Sequence, residues 1–171
     1  FVQNAQEAAR AVASTRYPPD GIRGAAGVQR ASRYGNVPGY FGRAASEICV
    51  AVQVETLAAL DELEAIAKVP GVDTIFIGPV DLSASMGLLG DIGHADLQAQ
   101  LAQAASTCRR HGKPCGIIAP NPEMAARFVE YGYAWVALGS DMSMMTTRAR
   151  EWLGAARGDA SAVARKEEGA C

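Results

Sequence analysis

The chain has 171 residues, 49% of them hydrophobic and 20% charged, with 16 Lys and Arg against 18 Asp and Glu for a net charge of −2. This is the balance of an ordinary globular domain, long enough to bury a core. It carries neither the basic blocks of a nucleic-acid or membrane surface nor an apolar run near the ~18 residues of a membrane span. No signal-peptide pattern is present, and the four cysteines at 49, 108, 115 and 171 have no CxxC spacing. Reduced thiols in a cytoplasmic protein are the expectation.

In chain order, Phe1-Val2-Gln3 reads as the end of a strand entering a helix over 5–15. A Gly/Pro-rich segment around 30–40 (RASRYGNVPGY) reads as irregular. Short apolar runs rich in branched residues predict strands over 48–54 (ICVAVQV), 72–77 (VDTIFI), 115–119 (CGIIA) and 134–138 (AWVAL). Helical patterns fall between and after them, over 56–68, 95–110, 122–131 and 143–157. Thr56 suits the cap of the first of these helices. Asn121 does the same ahead of Pro122, a residue fitted to a first helical turn. Gly112 follows Arg109-Arg110-His111, cations that suit a helix carboxyl end. From about 158 the Ala/Arg/Glu/Gly tail is expected to be mobile.

Strands without polar alternation, separated by helices, predict an α/β fold with a parallel sheet. About five βα units are countable, which fits either a small doubly wound domain or the later part of an eight-unit barrel. The pattern alone does not choose between them.

In both folds ligands bind at the carboxyl ends of parallel strands. There, VQVET places Gln53 and Glu55, and IFIGPVD places Asp81. Two carboxylates and an amide from neighbouring strand ends form the hard, oxygen-rich set that Mg²⁺ or Mn²⁺ prefers. Each acid also has a plain structural reading: Asp81 as a helix cap or turn residue, Glu55 in a first helical turn favoured by the dipole.

The stretches RYPPDGIRG (16–24), VQVET (52–56) and IFIGPVDLSASMG (75–87) closely resemble motifs of the metal-dependent (class II) pyruvate aldolases of the HpcH/HpaI type. Such enzymes include 4-hydroxy-2-oxoheptanedioate and 2-keto-3-deoxy sugar acid aldolases. The resemblance runs from Phe1 to about Arg157 and implies a (β/α)8 TIM barrel, with the units here as the fourth to eighth. It also implies a homo-oligomer, commonly a hexamer of dimers that exchange their last helix.

By the same resemblance Glu55 and Asp81 are the metal carboxylates and the cofactor is Mg²⁺, Mn²⁺ or Co²⁺. Gln53 contacts a small-molecule 2-oxo acid. Gly78, Pro79 and Val80 lie where backbone amides hold the pyruvate carboxylate, with Val80 departing from the usual alanine. The reaction implied is reversible cleavage of 4-hydroxy-2-oxo acids to pyruvate and an aldehyde. The family's catalytic histidine and pyruvate-binding arginine belong to units expected to precede Phe1.

His94 and His111 replace neither residue and read as surface and helix-end groups. Of the three lysines, only Lys113 is near a strand, at its wrong end for a Schiff base. Arg23 reads as either a site-mouth residue or part of a glycine-held turn. Asp141 remains a site candidate, with helix capping preferred. Met142, Met144, Met145 and Trp152 read as packing or subunit contact. The rivals are a citryl-CoA or malyl-CoA type lyase and an inactive or non-enzymatic α/β binding domain.

Overall fold

The computed structural model of the protein describes residues 1–158. Apart from Gly158, the tail expected to be mobile lies outside the described residues. Helix α1 spans Ala5–Ala13, α2 Tyr40–Glu47, α3 Leu57–Asp61 and α4 Leu63–Ala67. Strands β1 (Ala51–Val54) and β2 (Thr74–Ile77) lead to α5 (Pro79–Ser85) and α6 (Ala95–Arg110). Then come β3 (Cys115–Ala119), α7 (Pro122–Tyr131), β4 (Trp135–Leu138) and α8 (Asp141–Arg157).

The four strands are all parallel and lie in the order β1-β2-β3-β4. Chain order and spatial order coincide. A doubly wound sheet reverses its strand order at a switch point, whereas barrel strands follow one another around the wall. The topology therefore settles what the sequence pattern left open. The first residues continue the wall as expected, because the Val2 N–H donates to the Gln53 carbonyl at 2.9 Å on the free side of β1.

Alternation along the strands separates two faces. Val52, Val54, Ile75, Ile77, Ile117 and Ala119 point to the helix side and join Leu63, Ile66, Leu97, Leu101 and Phe128 in one core. Burying each large aliphatic side chain there contributes about 1.5–3 kcal/mol. The spacing of Leu97, Leu101, Ala104, Ala105 and Cys108 puts one stripe of α6 on that core.

The opposite face carries a row set by register: Gln53 beside Phe76, Phe76 beside Gly116, Gly116 beside Trp135. The Trp135 ring lies across Gly116, where a Cβ would sit 2.1 Å from its Cε2 atom. It stacks on Phe76 at 5.0 Å between centroids and donates its Nε1 proton to the Thr74 hydroxyl at 3.0 Å. Trp135 is 40% exposed, so this aromatic layer forms an open floor.

Caps explain the helix starts. Thr56 Oγ1 accepts from the Ala59 N–H at 3.1 Å and Asn121 Oδ1 from the Met124 N–H at 2.8 Å. Gly112, with φ +63°, follows α6 as expected. The helix expected over 56–68 divides into α3 and α4 at Glu62, whose φ and ψ of −90° and 2° leave the helical region. Within the segment read as irregular, Arg33 and Tyr34 adopt left-handed backbone, and α2 begins at Tyr40. Helix α8 starts two residues earlier than expected. Its cap is Ser140, which exchanges hydrogen bonds with Ser143 in a capping box, and not Asp141. No helix among the described residues is long and apolar enough to cross a membrane.

Candidate metal and oxo-acid site

Gln53 and Glu55 are two residues apart on β1 and its continuation, so both side chains leave the sheet on the face of the aromatic floor. Gln53 Nε2 donates to Glu55 Oε2 at 2.5 Å. Glu55 is only 6% exposed. What makes room for it is Gly78 on the neighbouring strand end. A Cβ there would stand 2.1 Å from Glu55 Oε2, 2.8 Å from Glu55 Cβ and 3.1 Å from Gln53 Nε2. The Gly78 backbone, at φ −93° and ψ 94°, is open to any residue. Glycine is required here by the carboxylate and not by the turn.

Asp81 arrives from the other side. Pro79 occupies the first position of α5, which places Asp81 in the first helical turn, where a carboxylate suits the dipole. Of the two plain readings offered by the sequence, cap and turn, neither holds; the short helix itself was not foreseen. Asp81 is exposed and Glu55 buried, and the two stand close enough for the Asp81 charge to act on the Glu55 carboxyl. Burial, followed by repulsion from Asp81, raises the Glu55 carboxyl above its ordinary pKa of 4.5, against the opposing pull of the Gln53 amide. Two acids pressed together, one of them desolvated, form an anionic well that a small cation would relieve. The donor set, two carboxylate groups and an amide oxygen available on rotation of Gln53, fits a hard divalent ion completed by water or substrate. Among the described residues no group of three or more His, Cys, Asp and Glu side chains gathers to hold a metal.

The three residues expected to offer amides differ in what they have free. The Gly78 N–H donates to the Val54 carbonyl at 3.1 Å, and Pro79 has none. The amides open to an anion at this end are those of the first turn of α5, beginning with Val80, which is half exposed.

The remaining candidates lie in other contacts. His94 caps α6, its Nδ1 accepting from the Asp96 N–H at 3.2 Å, and His111 sits 3.6 Å from Glu64 at the other end of that helix. Arg23 stacks over Tyr17 at 4.7 Å and donates to the Tyr40 hydroxyl at 3.3 Å. Asp141 accepts from the Met142 N–H at 2.8 Å in the first turn of α8. Sequence reasoning missed the space-making part of Gly78. A glycine ending an apolar strand one residue along from the partner of Val54 was the available signal.

A wall of parallel strands in chain order is part of a TIM-type barrel, and the candidate residues gather at the strand carboxyl ends, where such barrels carry their sites. The chain belongs to the HpcH/HpaI aldolase/citrate lyase family, which matches residues 1–147. It is 48% identical over 144 residues to the 5-keto-4-deoxy-D-glucarate aldolase of Salmonella arizonae, covering 84% of this chain and 56% of that protein. It is 46% identical over 158 residues to the 2-dehydro-3,6-dideoxy-6-sulfogluconate aldolase of Pseudomonas putida, covering 92% of this chain and 62% of that protein. A crystal structure of a family member from Burkholderia cenocepacia superimposes with a TM-score of 0.87 at 38% identity, over 92% of this chain and 63% of that one. The chain thus spans about three fifths of the length of these relatives.

Proposed function

We propose that the protein serves the reversible, divalent-metal-dependent aldol cleavage of 4-hydroxy-2-oxo acids to pyruvate and an aldehyde. The observation that carries this reading is the meeting of Glu55 and Asp81 from adjacent strand ends in a site shaped by Gly78. The names of the relatives, aldolases of keto-deoxy sugar acids, support it.

A bound Mg²⁺, Mn²⁺ or Co²⁺ supplies Lewis-acid stabilisation of the negative charge that develops on the 2-oxo oxygen as the C3–C4 bond breaks. Glu55 and Asp81 would hold that ion, with the Gln53 amide restraining the Glu55 carboxylate through its hydrogen bond. The first-turn amides of α5 receive the carboxylate of the oxo acid. The 4-hydroxyl proton leaves to a base, the electron pair of the broken bond passes to the enolate, and a proton returned to C3 completes pyruvate. Lys113 reaches back to the Val72 carbonyl, at the end of the wall opposite Glu55.

The protein works as a homo-oligomer. Met142, Met145, Trp152 and Leu153 leave an apolar row open on α8, with Trp152 70% exposed, a surface suited to a second copy. The test is pyruvate release from a 4-hydroxy-2-oxo acid. EDTA should abolish it, and Mg²⁺, Mn²⁺ or Co²⁺ should restore it. Release unaffected by chelation refutes the metal-dependent reading.

A further inference from the structure

Glu55 and Asp81 lie on the two arms of one closed circuit of hydrogen bonds. Before the acids, the Gly78 N–H donates to the Val54 carbonyl at 3.1 Å. Beyond them, the Leu57 N–H donates to Ser85 Oγ at 3.1 Å. One arm runs from Val54 to Leu57 and carries Glu55; the other runs from Gly78 to Ser85 and carries Asp81. Ser85 ends α5 four residues after Asp81, so both side chains leave the same face of that helix. Its hydroxyl also donates to the Leu82 carbonyl at 2.9 Å, which fixes its rotamer and leaves its lone pairs to accept. A third tie reaches the Glu55 arm from the other neighbouring unit, where Thr56 Oγ1 donates to Gln3 Oε1 at 2.7 Å.

We infer that Ser85 is a positioning residue for the metal site: by holding the Leu57 amide it closes the circuit and sets α5, and with it Asp81, against Glu55. Capping alone does not account for the contact. The first amides of α3 have no partner within the helix, but Thr56 already caps it locally, accepting from the Ala59 N–H at 3.1 Å. Ser85 lies 28 residues from Leu57 and belongs to the helix that bears the second acid. Two carboxylates repel, so without a cation the arms are pushed apart. A circuit closed at both ends resists that separation, whereas one closed only at Gly78 leaves α5 free to swing about its first turn. A cation then meets acids already in place and loses no affinity to drawing them together. The inference rests on the metal reading of Glu55 and Asp81.

Mn²⁺ titration of the intact protein by calorimetry tests it, with Ser85→Ala, Ser85→Thr and Glu55→Gln beside the unsubstituted chain. Position 85 is exposed and alanine suits a helix, so Ser85→Ala is expected to fold. Its Mn²⁺ affinity should fall about 3–10-fold, the scale of one hydrogen bond. Ser85→Thr, which keeps the hydroxyl, should restore it. Pyruvate release by Ser85→Ala should be low at limiting Mn²⁺ and return at saturating Mn²⁺. A role in the stability of α3 alone would lower the urea midpoint and leave the Mn²⁺ affinity of the folded protein unchanged. That result overturns the inference and leaves the metal site standing. Mn²⁺ binding that is absent from the unsubstituted protein, or undiminished in Glu55→Gln, overturns the metal site and this inference with it.

Discussion

Gly78→Ala isolates the steric argument at the site. The backbone there, φ −93° and ψ 94°, accepts alanine, so no conformational strain enters. The new methyl would lie 2.1 Å from Glu55 Oε2 and 2.8 Å from Glu55 Cβ, where ordinary contact begins at 3.4 Å. Because Cβ itself is in the clash, a rotamer change cannot relieve it. Glu55 must retreat by about 1 Å or more and draw away from both Asp81 and the Gln53 amide, a misplacement that costs about 10²-fold in a reacting site. Mn²⁺ titration by calorimetry should show affinity weakened by about 10–100-fold, and pyruvate release should fall in parallel, while far-ultraviolet circular dichroism keeps its native form. Wild-type Mn²⁺ affinity in a folded Gly78→Ala protein would refute the claim that this glycine exists to seat Glu55.

Two further outcomes follow from the same coordinates. Glu55 binds its proton more tightly in the folded state than in the unfolded one, so its own contribution to metal-free stability is fullest below about pH 4.5 and is lost as pH rises through the raised pKa. The difference in melting temperature between the unsubstituted protein and Glu55→Gln should therefore change across that range, and added Mg²⁺ should offset the loss; a difference independent of pH contradicts it. Gly116→Ala drives a methyl into the Trp135 ring at 2.1 Å and breaks its stack on Phe76 and its bond to Thr74. About 1–3 kcal/mol of stability should be lost in urea unfolding, with a changed tryptophan emission; unchanged midpoint and emission contradict the packing described.

Local chemistry made much of this visible before any coordinates. Thr56, Asn121 with Pro122, and Gly112 mark helix ends through backbone groups that must be satisfied nearby, and the structure uses each in that way. The apolar runs gave the strands, and the sequence already put Gln53, Glu55 and Asp81 at neighbouring carboxyl ends, where the structure gathers them in the candidate site. What escaped depends on contacts between segments. Whether the units wind one way or two is decided by pairing, as between β1 and β2, which no single run encodes. The part played by Gly78 is written on Glu55, and that of Gly116 on Trp135. Helix α5 escaped because its seven residues open on Pro79 directly after Gly78, a pair that looks locally like a turn.

The pairing of Val54 with Ile77 has a bearing on how the protein acquires its competence. Slip β1 by a single residue and Gln53 and Glu55 would plunge among the aliphatic side chains beneath the helices, while valines surfaced over Phe76. The hydrophobic interior therefore proofreads the chemistry: any conformer whose ladder is misaligned is both unstable and unable to gather its acids. Ion capture at Glu55 and Asp81 would therefore report that the sheet has assembled correctly, with no separate step to build the pocket.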